Sequence, residues 1–144
     1  MTPQSVNELY DRVLSLGLER LSMAMGIVSH IDNDSYQVMA VQSDSKVFVA
    51  GETFPLENTY CRQVVEECQT VALTELGDLP GLCKHPLYIG MPLEAYISTP
   101  IYKNGDIWGT LNFSSMKIRD SAFSEDEIEF VEESARAISE ALTN

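Results

Sequence analysis

Residues Glu94-Ala95-Tyr96-Ile97-Ser98-Thr99-Pro100-Ile101-Tyr102-Lys103-Asn104-Gly105-Asp106-Ile107-Trp108-Gly109-Thr110-Leu111-Asn112-Phe113-Ser114-Ser115 form two apolar runs on either side of Asn104-Gly105. Asn-Gly supplies the two positive-φ residues of a type I′ turn, so the stretch predicts a β-hairpin. With those two residues as the loop, Lys103 faces Asp106, Tyr102 meets Ile107, Ile101 meets Trp108, Ser98 meets Leu111 and Tyr96 meets Phe113. Side chains alternate across a strand, so the hairpin has two faces. One carries Ala95, Ile97, Thr99, Ile101, Trp108, Thr110 and Asn112, and could sit under helices. The other carries Tyr96, Ser98, Pro100, Gly109, Leu111, Phe113 and Ser115. Its aromatic rings, hydroxyls and the gap at Gly109 suit a cavity wall, although the pattern also fits two ordinary packed faces.

Outward from the hairpin, the chain of 144 residues fits one domain with a real core, and its hydrophobic share of 44% is ordinary. No apolar run approaches the roughly 20 residues that cross a bilayer. The N-terminus lacks a basic segment followed by an apolar one, so the chain is expected to be cytoplasmic, or a cytoplasmic piece of something longer, without a membrane partner. Net charge is −13, from 22 acids against 9 bases. Phosphate backbones and anionic lipid surfaces repel such a chain, which argues against nucleic acid as a partner. Three cysteines, Cys61, Cys68 and Cys83, make no disulfide framework.

Before the hairpin, residues 5 to 22 predict a helix, with Val6, Leu9, Tyr10, Val13, Leu16, Gly17 and Leu21 on its apolar side. Ile27–Asp32 and Tyr36–Ser43 predict a second hairpin around Asn33-Asp34, with Val38 and Ala40 on one face and Met39 and Val41 on the other. Lys46–Ala50 reads as a short edge strand and Gly51–Leu56 as a loop. A helix over Tyr60–Cys68 and a strand over Thr70–Thr74 follow. Gly77–Pro92, rich in Gly and Pro, reads as a functional loop. After the central hairpin, Ser124 and Glu127 form the pair of a capping box, with Phe123 and Ile128 placed as a hydrophobic staple. Ile128, Val131, Ala135, Ile138 and Leu142 then step as a heptad seam, which suggests a helix touching both its own sheet and a partner. The element order predicts an α+β layer fold.

At this point the chain resembles a GAF domain over nearly its whole length. The resemblance rests on Phe54-Pro55-Leu56 with Thr59-Tyr60-Cys61, on His85-Pro86, on Leu93-Glu94-Ala95-Tyr96-Ile97, on Gly109-Thr110-Leu111-Asn112-Phe113, and on Phe123-Ser124-Glu125-Asp126-Glu127. It is similar to the subgroup found beside histidine kinase and diguanylate cyclase modules in bacterial signalling proteins. The resemblance implies one GAF domain over residues 1–144, with a central antiparallel sheet of about six strands. Terminal helices would cover one face, and a ligand pocket with short helices and loops the other. It also implies a homodimer formed through the terminal helices. The pocket would be lined by Tyr60, Cys61, His85, Tyr88, Tyr96, Ser98, Leu111, Phe113 and Ser115, under a lid of Thr53–Arg62 and Leu82–Tyr88.

Phytochromes share the domain, but their adjacent Cys-His pair is absent because Lys84 separates Cys83 from His85, which weighs against bilin attachment. Of the dispersed Asn-Lys-Asn-Phe-Asp-Glu pattern of cyclic-nucleotide-binding members only Phe123, Asp126 and Glu127 are present, and the capping box already explains them. Cys61, Cys83 and His85 are the soft-ligand candidates, yet Cys-x-His matches no metal-site spacing. Cys83 and His85, two apart in a loop, lack a third orienting group for nucleophilic catalysis. The expectation is a small-molecule sensor rather than an enzyme. The alternatives are a redox sensor or reductase using Cys61 or Cys83, and a ligand-free dimerisation module.

Overall fold

A computed structural model describes residues 3–43, 50–55, 70–73, 95–115 and 122–143. In chain order these form α1 (Pro3–Leu21), β1 (Met25–Asp32), β2 (Ser35–Ser43), β3 (Thr53–Pro55), β4 (Val71–Leu73), β5 (Ala95–Lys103), β6 (Asp106–Ser115) and α2 (Glu125–Thr143). Of the expected strand Lys46–Ala50 only Ala50 is described, in a turn, and the helix Tyr60–Cys68 and the loop Gly77–Pro92 lie outside the described residues. So do Tyr60, Cys61, His85 and Tyr88 of the expected pocket.

The strands form one antiparallel sheet in the order β3-β2-β1-β6-β5-β4. Both helices pack on the same face of it. Their side chains Tyr10, Val13, Leu14 and Leu21 from α1, and Val131, Ala135 and Ile138 from α2, share a core with Val28, Ala40, Ile97, Ile101, Leu111 and Phe113 of the strands. The fold is therefore α+β, as expected.

Local chemistry sets the boundaries. Asn104 (φ 55°) and Gly105 (φ 87°) make the tight turn between β5 and β6. Ser22 takes a left-handed φ of 55° just past α1, and the Met23 amide reaches back to the Leu18 carbonyl at 3.2 Å, closing the helix with a Schellman bond. At the start of α2 the Glu127 amide donates to Ser124 Oγ at 3.1 Å, and the Ser124 amide donates to Glu127 Oε1 at 2.9 Å. This is the expected capping box.

Several expectations are corrected. Leu16 is 51% exposed, whereas Leu14 is fully buried, because α1 turns Leu14 and not Leu16 onto the stripe of Tyr10, Val13 and Gly17. Thr53–Pro55, expected within a loop, is an edge strand on β2; proline is tolerated at an edge, where its missing N–H breaks no inner ladder. Each hairpin also holds a β-bulge. In β2 the partners step from Val28↔Ala40 to Ser29↔Val38, leaving Met39 as the extra residue and sending Val38 and Ala40 to opposite faces.

The second bulge matters more. Tyr102 pairs with Ile107 as expected, but Ile101 pairs with Gly109, leaving Trp108 as the extra residue. Ser98 therefore meets Asn112 rather than Leu111, and Tyr96 meets Ser114 rather than Phe113. A bulge is sited here for two reasons. The Trp108 ring stacks on His30, with centroids 4.6 Å apart, and His30 Nδ1 donates to the Trp108 carbonyl at 2.7 Å. Beside it Gly109 lies so close to β1 that a Cβ would fall 1.8 Å from the Ser29 carbonyl oxygen. The supposed gap at Gly109 is filled by backbone.

Candidate functional site

Because one extra residue turns every later side chain over, β6 presents the opposite faces from those expected. Leu111 and Phe113 lie on the helix side, in register with Thr99 and Ile97. Phe113 is fully buried beneath α1, where a Cβ on Gly17 would fall 2.1 Å from its ring tip. Ser115 pairs with Ala95 and shares their side of the strand. Of the expected pocket residues on the hairpin, only Tyr96 and Ser98 lie away from the helices. The cavity of Tyr96, Ser98 and Phe113 does not form as expected.

Tyr96 and Ser98 instead join Thr110 and Asn112, expected under the helices, and Ser114. Ser98 pairs with Asn112, Tyr96 with Ser114 and Pro100 with Thr110 on one side of β6. On its other side Ser29 pairs with Thr110, Ile27 with Asn112 and Met25 with Ser114. The signal that could have found Asn112 and Ser114 is Gly109, since a glycine within a strand often marks a bulge.

This second face is buried and mixes apolar side chains, Met25, Ile27 and Val38, with a row of polar ones. Ser29, Ser98, Thr110, Asn112 and Ser114 are all buried, along with Tyr36 and Tyr96. A buried polar group needs a partner or costs free energy. Ser29 Oγ and Thr110 Oγ1 satisfy each other at 2.6 Å, and Asn112 Nδ2 donates to the Tyr36 hydroxyl at 3.4 Å. Ser114 is 1% exposed, and its Oγ is the buried side-chain oxygen left without a partner among the described residues. A row of neutral donors and acceptors across the middle of a sheet suits recognition of a ligand better than apolar packing.

The helix side holds a smaller polar feature. Thr70, just before β4, donates to Glu132 Oε2 on α2 at 2.5 Å and contacts Thr99 Oγ1 at 2.8 Å. Ser139 on α2 donates to the Tyr102 carbonyl. These bonds floor a cleft of about 400 Å³ between α2 and β5. Among the described residues no group of three His, Cys, Asp or Glu side chains could hold a metal, and no helix is long and apolar enough to cross a membrane.

A six-stranded antiparallel sheet with both terminal helices on one face and a buried row of polar groups on the other defines one class of α+β domain. The GAF domain family matches residues 3–143, and the chain belongs to that family. No curated protein matches the sequence. Among solved structures, the GAF domain of a phosphoenolpyruvate-protein phosphotransferase from Coxiella burnetii superposes with a TM-score of 0.79 at 18% identity, covering 95% of this chain and 82% of that one. The blue-light absorbing form of the Thermosynechococcus elongatus PixJ GAF domain gives 0.77 at 18% identity, covering 96% and 85%. A type II free methionine-R-sulfoxide reductase from Thermoplasma acidophilum gives 0.76 at 14% identity, covering 95% and 92%. At these identities the likeness is one of fold.

Proposed function

We propose that this GAF domain is a sensory module: it binds a small molecule on the sheet face opposite its helices and passes occupancy to α1 and α2. The observation that carries this reading is the buried polar row ending at the unpartnered Ser114 hydroxyl. Alternation along β6 supplies the relay. Asn112 and Ser114 meet the ligand, while Leu111 and Phe113, their neighbours in the chain, press on the helices. A ligand shifts this equilibrium only by binding one helix arrangement better than the other.

In a longer cytoplasmic protein the output would be a histidine kinase or diguanylate cyclase module. Homodimerisation through the terminal helices belongs to the same proposal, but it must use a surface other than Val131, Ala135 and Ile138. That part of the heptad seam is buried against the chain's own sheet.

Native mass spectrometry of freshly purified protein, followed by thermal-shift screening, tests the reading. The expected result is a bound mass or a stabilising compound whose effect disappears in Asn112→Leu. A folded protein that no compound stabilises would leave only the dimerisation module. We read the chain as regulatory rather than catalytic, although a reductase shares its fold. Titration with a charged alkylating agent separates the two: a Cys61 or Cys83 thiol reacting faster than a free peptide cysteine would favour the redox alternative.

A further inference from the structure

We infer that the cleft between α2 and β5 is a second binding site, on the helix side of the sheet, for a small zwitterion of the α-amino acid class. It is separate from the polar row of the proposed sensory face. Its space follows from the unequal lengths of two strands. β4 pairs with Tyr96, Ile97 and Ser98, whereas β5 continues to Lys103. The cleft of about 400 Å³ lies beside that longer half, against one flank of α2. Such a volume falls within the ordinary range of small-molecule pockets.

Two observations carry the ligand class. The first is a pair of opposite charges on the α2 wall. Glu132 and Arg136 both line the cleft, four residues and so about one helical turn apart. A glutamate N-terminal to a basic residue at this spacing is the favoured order for a helix ion pair. Here the pair is not closed. The Thr70 hydroxyl donates to Glu132 Oε2 at 2.5 Å and lies 2.8 Å from Thr99 Oγ1, so the carboxylate is drawn toward the sheet. Among the described residues no ion pair joins it to Arg136. Thr70 uses one oxygen of the carboxylate. The other oxygen and the guanidinium donors are what a ligand's ammonium and carboxylate would meet.

The second is the charge around that pair. Glu133 and Glu140 stand within about one turn of Arg136 on α2, and the chain carries −13 overall. A lone anion would enter this field against repulsion, and a lone cation would have to lie beside the guanidinium. A molecule with both charges on neighbouring atoms meets each with its opposite and adds no net charge. The β5 wall suits the rest of such a molecule. Pro100 and the ring of Tyr102, which is 38% exposed, line the cleft and offer apolar surface to a side chain. An aromatic side chain gains ring packing there as well.

The test titrates the ¹⁵N-labelled full chain with three compounds that share one side chain. They are L-phenylalanine, N-acetyl-L-phenylalanine, which lacks the ammonium, and L-phenylalaninamide, which lacks the carboxylate. The readout is the backbone amide signals of Thr99, Tyr102 and Ser139, with Asn112 and Ser114 as controls on the other face. Phenylalanine is expected to move the cleft signals with a Kd on the order of 1–10 mM, ordinary for a ligand of about twelve non-hydrogen atoms. Each blocked compound should bind about 3- to 5-fold more weakly, the share of one exposed ion pair. Arg136→Gln should erase the difference between phenylalanine and its amide. Glu132→Gln, whose amide oxygen still accepts from Thr70, should erase the difference between phenylalanine and its acetyl derivative. Equal binding of all three compounds to the parent chain would overturn the ligand class. Cleft signals that stay fixed up to about 50 mM would overturn the site. Movement confined to Asn112 and Ser114 would also overturn it while supporting a ligand on the sensory face, so the two readings fail separately.

Discussion

The ring of Phe113 occupies the space that any side chain at Gly17 would need, so this one contact fixes how closely α1 lies on β6. Alanine at position 17 would gain about 1 kcal/mol of helix propensity. Against that, overpacking a rigid ring costs on the order of 1–3 kcal/mol. Gly17→Ala should therefore lower stability in urea unfolding. The loss should shrink when Phe113→Leu is added, because the two changes relieve one overlap; purely additive losses would show that the contact is not the cause.

Tyr10 makes a second prediction at this scale. Burial pushes its phenol up to about 12. An unfolded tyrosine ionises near 10. Below pH 10 both states hold the proton and there is no effect. Between pH 10 and 12 only the unfolded state releases it, so stability should fall by up to roughly 1.4 kcal/mol per pH unit. Tyr10→Phe should flatten that part of the urea-midpoint profile, and an unchanged slope would contradict the assignment.

At the level of elements, caps and turns were legible because their chemistry is local. Asn104-Gly105 bends where the sequence says it should, and Ser124 and Glu127 cap α2 through bonds within four residues. The bulge at Trp108 was not legible in the same way. It depends on the approach of β1, whose Ser29 carbonyl and His30 ring lie nearly eighty positions earlier in the chain. Deleting Trp108 removes the extra residue but leaves Ile97 opposite Phe113 and Ser98 opposite Asn112, so both faces of β6 beyond it should be kept. Inserting one residue between Gly109 and Thr110 should instead turn Phe113 away from α1 and Asn112 toward it, and near-ultraviolet circular dichroism should then show a chain without fixed tertiary packing. Trp108→Leu keeps the extra residue and should remain folded, losing about 0.5–1.5 kcal/mol of ring stacking. If the insertion variant kept native spectra and stability, alternation beyond the bulge would not be what sets the faces.

Across the whole molecule, the two faces of the sheet are mechanically joined but chemically distinct. Apolar residues from both helices cover one, and among the described residues a row of polar groups crosses the other beside Met25, Ile27 and Val38. At the sheet's edge the Thr70 hydroxyl ties the start of β4 to Glu132 on α2. A hydrogen bond to a carboxylate contributes about 1.5–3 kcal/mol when well shielded, and less at this half-buried position. Thr70→Val should leave the central strands intact while speeding hydrogen exchange at Ala72, read by mass spectrometry of the β4 peptide. Faster exchange spread evenly over β1 and β6 instead would mean the bond supports the fold at large and not this edge.

The amino-acid sequence by itself determined the α+β class, the GAF resemblance, both terminal helices and the bend at Asn104-Gly105. Periodicity, capping and turn chemistry each act within a few residues and can be read along a line. It also separated correctly the two sides of β5. Which side of β6 joined each of them was decided only in three dimensions. Strand alternation has a period of two, so one residue accommodated at a contact between distant strands inverts every position after it. That inversion placed Phe113 under α1 and set Asn112 and Ser114 beside Tyr96 and Ser98.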